Sequence, residues 1–246
     1  MSAARLAQLL REAGPAVVLT GAGISVPSGI PDFRTPMTGL WANVDPMEVA
    51  HIDVWRRDPE RFWAFYGQRF ALLDGKEPNG AHHAIAELER RGLVAGVITQ
   101  NIDGLHAAAG SDPIEVHGSI RTASCLACGN SYSLEETRGR GALPRCDCGA
   151  VLKPDVVLFG EFLPEKAMLR ANALASTAGL LIAVGSSLEV WPVAELPADT
   201  LRAGGKLAIV TKGPTPYDRE AAVKLSGDVV EELEAVLSAL DAYSAA

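Results

Sequence analysis

Ala16-Val17-Val18-Leu19-Thr20-Gly21-Ala22-Gly23-Ile24-Ser25 carries a short apolar run straight into a glycine-rich turn. A run of this length and β-branching reads as a buried strand, and Gly21-Ala22-Gly23 would let backbone N–H groups approach a phosphate. The third glycine of a dinucleotide fingerprint would fall at position 26, where this chain has Val26. No acidic residue closes a second strand at the distance that a dehydrogenase needs. Taken alone, the turn fits a tight connection as well as a pyrophosphate cradle, and a conventional dehydrogenase is disfavoured.

Outward from this point the pattern repeats. Further apolar runs of strand length cover residues 94–99, 156–159, 180–184 and 207–210, with a shorter one at 113–116. Helical periods lie between them at 61–73, 81–91, 166–176 and 229–240, and Leu6, Leu9 and Leu10 share one helical face at the start. Strands alternating with helices predict an α/β fold, a doubly wound Rossmann-like parallel sheet covered on both faces. Residues 121–153 break the rhythm. They hold all four cysteines and little apolar periodicity, which predicts a small zinc-binding module inserted into a single doubly wound domain spanning 1–246.

Composition narrows the classes. The 246 residues are 48% hydrophobic and 21% charged, which excludes a mostly disordered chain. Lys plus Arg is 22 against 30 for Asp plus Glu, a net charge of −8 that argues against general nucleic-acid binding. No apolar run approaches the roughly 18–20 residues of a membrane span. The first residues, with Arg5 and Arg11, lack the pattern of a secretory signal, so a cytoplasmic, reducing setting is expected.

Cys125, Cys128, Cys146 and Cys148 follow C-x2-C-x17-C-x-C. Two thiolate pairs at short spacing close a zinc tetrahedron, and a fully sulfur-filled site has no open position for catalysis. The pair Cys146-Asp147-Cys148 is one residue tighter than the usual knuckle.

Polar groups gather where the predicted strands end. Pro31-Asp32-Phe33-Arg34 follows the first turn, and Thr99-Gln100-Asn101-Ile102-Asp103-Gly104-Leu105-His106 follows the strand at 94–99. In isolation the second segment could equally be a polar turn capping the next helix. His82 and His83 are expected to start the helix of 81–91, and His51 has no assigned role. His117 ends a short strand before Gly118-Ser119, a place suited to proton transfer near neutral pH.

These stretches together resemble the motif set of the sirtuins, which are NAD-dependent protein-lysine deacylases. The match runs from Gly21-Ala22-Gly23-Ile24-Ser25 and Gly29-Ile30-Pro31-Asp32-Phe33-Arg34, through Thr99–Asp103 and His117-Gly118, to the four-cysteine module. It continues in Lys153-Pro154-Asp155-Val156-Val157-Leu158-Phe159-Gly160-Glu161 and Gly185-Ser186-Ser187, and the compact length is similar to that of prokaryotic members. The resemblance implies that nicotinamide leaves NAD while a lysine acyl group passes to ADP-ribose, and that the four cysteines hold one structural Zn2+.

The resemblance also implies roles. Asn101 and Asp103 would orient the ribose and the nicotinamide carboxamide, and His117 would take a ribose hydroxyl proton. Gly21, Ala22, Gly23, Phe33, Arg34, Gln100, Ile102, Gly185, Ser186 and Ser187 would be further NAD contacts, with Asp228 and Val229 on the adenine side. Thr211 stands where sirtuins usually carry Asn, which shortens one reach to the adenosine ribose. An acylated-lysine protein would bind as an added strand along Val157, Phe159 and Gly160, with Val157 beside the lysine. Tyr66 and Arg69, three apart in a predicted helix, resemble the pair with which succinyl- and malonyl-preferring sirtuins grip a distal carboxylate. Asp32 departs from that subtype, which usually has Thr there. Two other readings stay open: an ADP-ribosyltransferase using the same NAD site, and a zinc-ribbon interaction protein.

Overall fold

The computed structural model describes residues 2–32, 45–73 and 75–244. Phe33 and Arg34 lie outside the described residues, as does the side chain of Arg69. In chain order the described strands are β1 (Ala16–Thr20), β2 (Val94–Thr99), β3 (Ile114–Glu115), β4 (Gly118–Ser124), β5 (Ser131–Ser133), β6 (Lys153–Val156), β7 (Leu180–Val184), β8 (Lys206–Val210) and β9 (Val223–Leu225).

Six of them form a parallel sheet in the order β3-β2-β1-β7-β8-β9. All five residues of β1 and of β7 are buried, as expected of strands covered on both faces. Side chains alternate between the two covers. Val18, Ile182 and Ala208 face the helices Ala3–Glu12, Gly80–Arg90 and Val229–Ser244. Val17, Leu19, Leu181 and Ile209 face the helices Glu165–Thr177 and Leu196–Arg202. The doubly wound expectation holds, and no described helix is long and apolar enough to cross a membrane.

The second sheet is small and antiparallel, in the order β5-β4-β6. Two expectations change here. The apolar run at 156–159 is not a strand of the parallel sheet. The strand instead covers Lys153–Val156 and lies at the edge of the small sheet, where Pro154 can be accommodated without a ladder donor. The helix Pro59–Leu73, expected as a crossover, packs on this small sheet: Phe62, Trp63 and Phe70 share a core with Ile120, Tyr132, Leu152 and Leu158. Its apolar period was real, but period alone does not name the face it covers.

Candidate active site

The strand order reverses between β1 and β7, and open α/β sheets bind ligands in the crevice beyond the carboxyl ends at such a point. Gly21 follows β1 and Gly185 follows β7. A Cβ on Gly185, whose φ is +61°, would lie 2.2 Å from the Ile24 nitrogen, and one on Gly23 would lie 2.7 Å from the Gly185 oxygen. The two loops therefore meet backbone to backbone, joined by the Gly23 N–H donating to the Gly185 carbonyl at 2.8 Å. The turn continues as a 3-10 helix, Ala22–Ser28.

Asn101 and Asp103, just beyond β2, are drawn onto this turn. Asn101 Nδ2 donates to the Gly21 carbonyl and to Ser25 Oγ, each at 3.1 Å, and the Ser25 hydroxyl donates to Asp103 Oδ2 at 2.7 Å. Gln100 Nε2 donates to Ser186 Oγ at 2.9 Å, linking the loop after β2 to the loop after β7. Ser25 was quoted in the sequence motif but given no role. A serine three residues into a turn has no periodic signature, so only its partners mark it.

His117 closes the far side. Its Nδ1 lies 2.9 Å from the Gln100 carbonyl. A carbonyl only accepts, so Nδ1 carries the proton and Nε2 is left as the free base. Burial pushes its pKa below the ordinary value, partly opposed by that hydrogen bond. Gly118 follows at φ +75°, and a Cβ there would sit 2.1 Å from the Asp155 carbonyl oxygen. The turn from β3 into β4 thus requires glycine, and it fixes where the imidazole points.

Two histidines beneath the crevice are fully covered, His82 and His106. The Thr20 hydroxyl donates to Thr99 Oγ1 at 2.8 Å, so His106 Nε2, 3.0 Å from Thr20 Oγ1, must be a donor. His82 Nδ1 accepts the Asn79 N–H at 3.3 Å, which leaves its proton on Nε2. The remaining atoms, His82 Nε2 and His106 Nδ1, are then a donor and an acceptor without protein partners, on rings 4.9 Å apart. Asn79 caps the helix Gly80–Arg90 and also donates to the Ile24 carbonyl at 2.8 Å, tying that helix to the glycine turn. His82 does start that helix, as expected. The Asn-x-x-His capping pattern was the available signal.

Other expected residues are placed as follows. Ser186 is buried and its oxygen also accepts the Leu188 N–H at 3.2 Å; Ser187 adjoins it. Ile102 accepts the Ile120 N–H through its carbonyl at 3.1 Å and packs toward the small sheet. Thr211 follows β8 and donates its N–H to Leu225. Asp228 accepts from Lys212 and from the Val230 N–H, each at 3.0 Å, so it caps the last helix, and Val229 is in the core. Tyr66 is half-buried, stacked on Phe62 at 4.5 Å and tilted on Phe70 at 5.3 Å. His51 caps the helix Ile52–Arg57 by accepting the Asp53 N–H.

The four cysteine sulfurs lie within 4.8 Å of one another. Cys125–Cys148 is 3.5 Å and Cys128–Cys146 is 3.4 Å, near the ~3.8 Å edge of a zinc–thiolate tetrahedron and far from the ~2.05 Å of a disulfide. The donor set fits a structural zinc. Tyr132 accepts the Asp147 N–H and donates its own O–H to Cys146 Sγ at 3.2 Å. Arg140 lies over the Tyr132 ring and pairs with Asp147 at 2.8 Å, bracing the tight Cys-x-Cys turn.

Residues 21–192 match the Sir2 family. A NAD-dependent protein deacetylase of Sulfolobus acidocaldarius is 45% identical over 224 residues, covering 89% of this chain and 87% of that protein. A Sir2 structure with a p53 peptide and NAD+ superposes with a TM-score of 0.89 at 43% identity, covering 97% of this chain and 98% of the other. A Sir2 structure with a deacetylated p53 peptide and 3′-O-acetyl ADP-ribose gives 0.92 at the same identity and coverage.

Proposed function

This chain belongs to the Sir2 family, and from that premise we propose that it removes acetyl groups from protein lysine side chains at the expense of NAD. The observation that carries the reading is the convergence of Asn101, Asp103 and Ser25 on the glycine turn, with His117 bonded to the adjoining Gln100 carbonyl. The site suits a dinucleotide: only glycine fits where Gly23 and Gly185 touch, and polar side chains line the crevice beside them.

NAD, when bound, would supply the acyl acceptor: with one water consumed, the products would be nicotinamide, ADP-ribose carrying the acyl group as an ester, and free lysine. Asn101 and Asp103 orient the ribose and carboxamide end, each already held by Ser25. His117 accepts a ribose hydroxyl proton at Nε2, and its Nδ1–H bond to Gln100 stabilises the imidazolium that results. The glycine turn, Gln100, Ser186 and Ser187 hold the diphosphate and ribose, Thr211, Asp228 and Val229 the adenine side. The peptide adds as a strand along Val157–Glu161, drawing affinity from main-chain bonds, so selectivity among flanking residues is modest.

The test is an acetyl-lysine peptide assayed with and without NAD, following nicotinamide and O-acetyl-ADP-ribose. Equal yields of both, dependent on NAD, support the reading. Transfer of adenine-labelled ADP-ribose to protein without loss of acetyl groups would replace it with ADP-ribosyltransfer.

A further inference from the structure

Lys153 is buried, 8% exposed, at the start of β6. Its ammonium has three N–H donors and meets three acceptors: the Pro154 carbonyl at 3.2 Å, the Val156 carbonyl at 2.9 Å and Glu161 Oε2 at 2.9 Å. The same Glu161 oxygen accepts the Leu158 N–H at 2.9 Å. One ion pair therefore grips the backbone at Val156 and at Leu158, on either side of Val157. Val157 itself donates its N–H to the His117 carbonyl at 2.9 Å.

Backbone bonds and one buried side chain hold the rest of the segment. Leu158 is buried, but Phe159 and Phe162 are 45% and 99% exposed. On the other side Phe159 exchanges backbone bonds with Ala50 and Ile52, and His51 packs where a Cβ of Gly160 would stand, with Nε2 2.5 Å from it. A buried ion pair is a poor source of stability, because desolvating both charges cancels most of their attraction. Here its hydrogen bonds go to the backbone of this one segment, which is what a device for fixing geometry requires.

We propose that Lys153 and Glu161 are positioning residues: the ion pair between their side chains sets the segment Val156–Glu161 against His117 and thereby sets affinity for the acyl-lysine peptide, with neither side chain touching the peptide. The inference rests on the deacylase reading above and deepens it, assigning the control of substrate alignment to a pair outside the NAD crevice.

The experiment uses the full chain carrying Glu161→Gln, and separately Lys153→Met with Glu161→Leu, which replaces the pair by apolar groups of similar size. In both, the peptide KM should rise, by about 10–100-fold in the double variant, while the KM for NAD stays near wild type. The Tm should stay near wild type in the double variant and fall in Glu161→Gln, which leaves the Lys153 charge buried beside a neutral partner. Glu161→Gln keeps an acceptor for Leu158 and should give the smaller rise. Amide exchange at Val157 and Leu158 should quicken relative to the strands of the parallel sheet. An unchanged peptide KM in the double variant with unchanged exchange at Leu158 overturns the clamp, as does a rise in both KM values together. The exchange result stands whether or not the wild type deacylates. Wild-type inactivity with a quickened segment therefore removes the deacylase reading while leaving the clamp in place.

Discussion

The Nδ1–H of His117 donates to the carbonyl of Gln100 at 2.9 Å, so the imidazole is held in one tautomer by the residue that precedes Asn101. His117→Ala removes the base at Nε2 and should lower kcat by about 10²–10⁴-fold with NAD affinity and Tm little changed. Because burial lowers its pKa, the base stays neutral below the usual histidine range. Activity should be kept as pH falls to about 6.5 and be lost only as pH passes through the depressed value. Wild-type turnover in the purified variant would remove His117 from the chemistry.

Gly185 and Gly67 make a matched pair. Gly185→Ala forces a methyl into the Ile24 backbone at φ +61°, so folding should lose more than about 1–3 kcal/mol and NAD binding should fail. Gly67 stands mid-helix with nothing within 4 Å of a built Cβ, and Gly67→Ala should gain about 0.5–1 kcal/mol. Thermal denaturation of both variants checks the contrast, and a stable, NAD-binding Gly185→Ala would disprove the backbone contact.

Desolvation lowers His82 to about 4 and His106 to about 3. Unfolded, both would titrate near 6.5, so below that pH the unfolded chain binds more protons than the folded one. Their contribution is intact above pH ~6.5 and lost as pH falls toward the folded values, at about 2 kcal/mol per histidine by pH 5. His82→Gln should flatten the decline of Tm between pH 7 and 5. An unaltered slope would mean that His82 is protonated in the folded chain.

Zinc content should be one per chain, and chelation should cost fold and then activity. Tyr132→Phe deletes the O–H donated to Cys146 and should speed zinc release to a chelator by about tenfold or more. Active protein without zinc would refute the site.

Tyr66 packs in an aromatic ladder, which suffices to explain its presence. If Arg69 grips an acyl carboxylate, Arg69→Met should cost desuccinylation about 10–100-fold and spare deacetylation. Equal loss on both substrates would indicate a folding defect, and no loss on either would leave Arg69 a surface charge.

The sequence by itself determined the features that depend on neighbours in the chain. Strand ends at Thr20, Thr99 and Val184, the glycine turn and the paired cysteines were all legible, because a strand must be apolar along its length and a thiolate pair must be close in number to share a metal. From alternation alone it also fixed that these strand ends would meet, since parallel strands share a carboxyl edge. Only the tertiary structure decided how the polar groups pair there. Ser25 and Asp103 are separated by 78 positions, and their bond exists because β1 and β2 are neighbours in register. The helix Pro59–Leu73 could not announce its partner, because an apolar stripe specifies a face and not the surface that covers it. Lys153 and Glu161 stood in the sequence only as the two ends of a motif, and their pairing was decided when the edge strand β6 turned the lysine inward onto carbonyls that its own segment left to be satisfied.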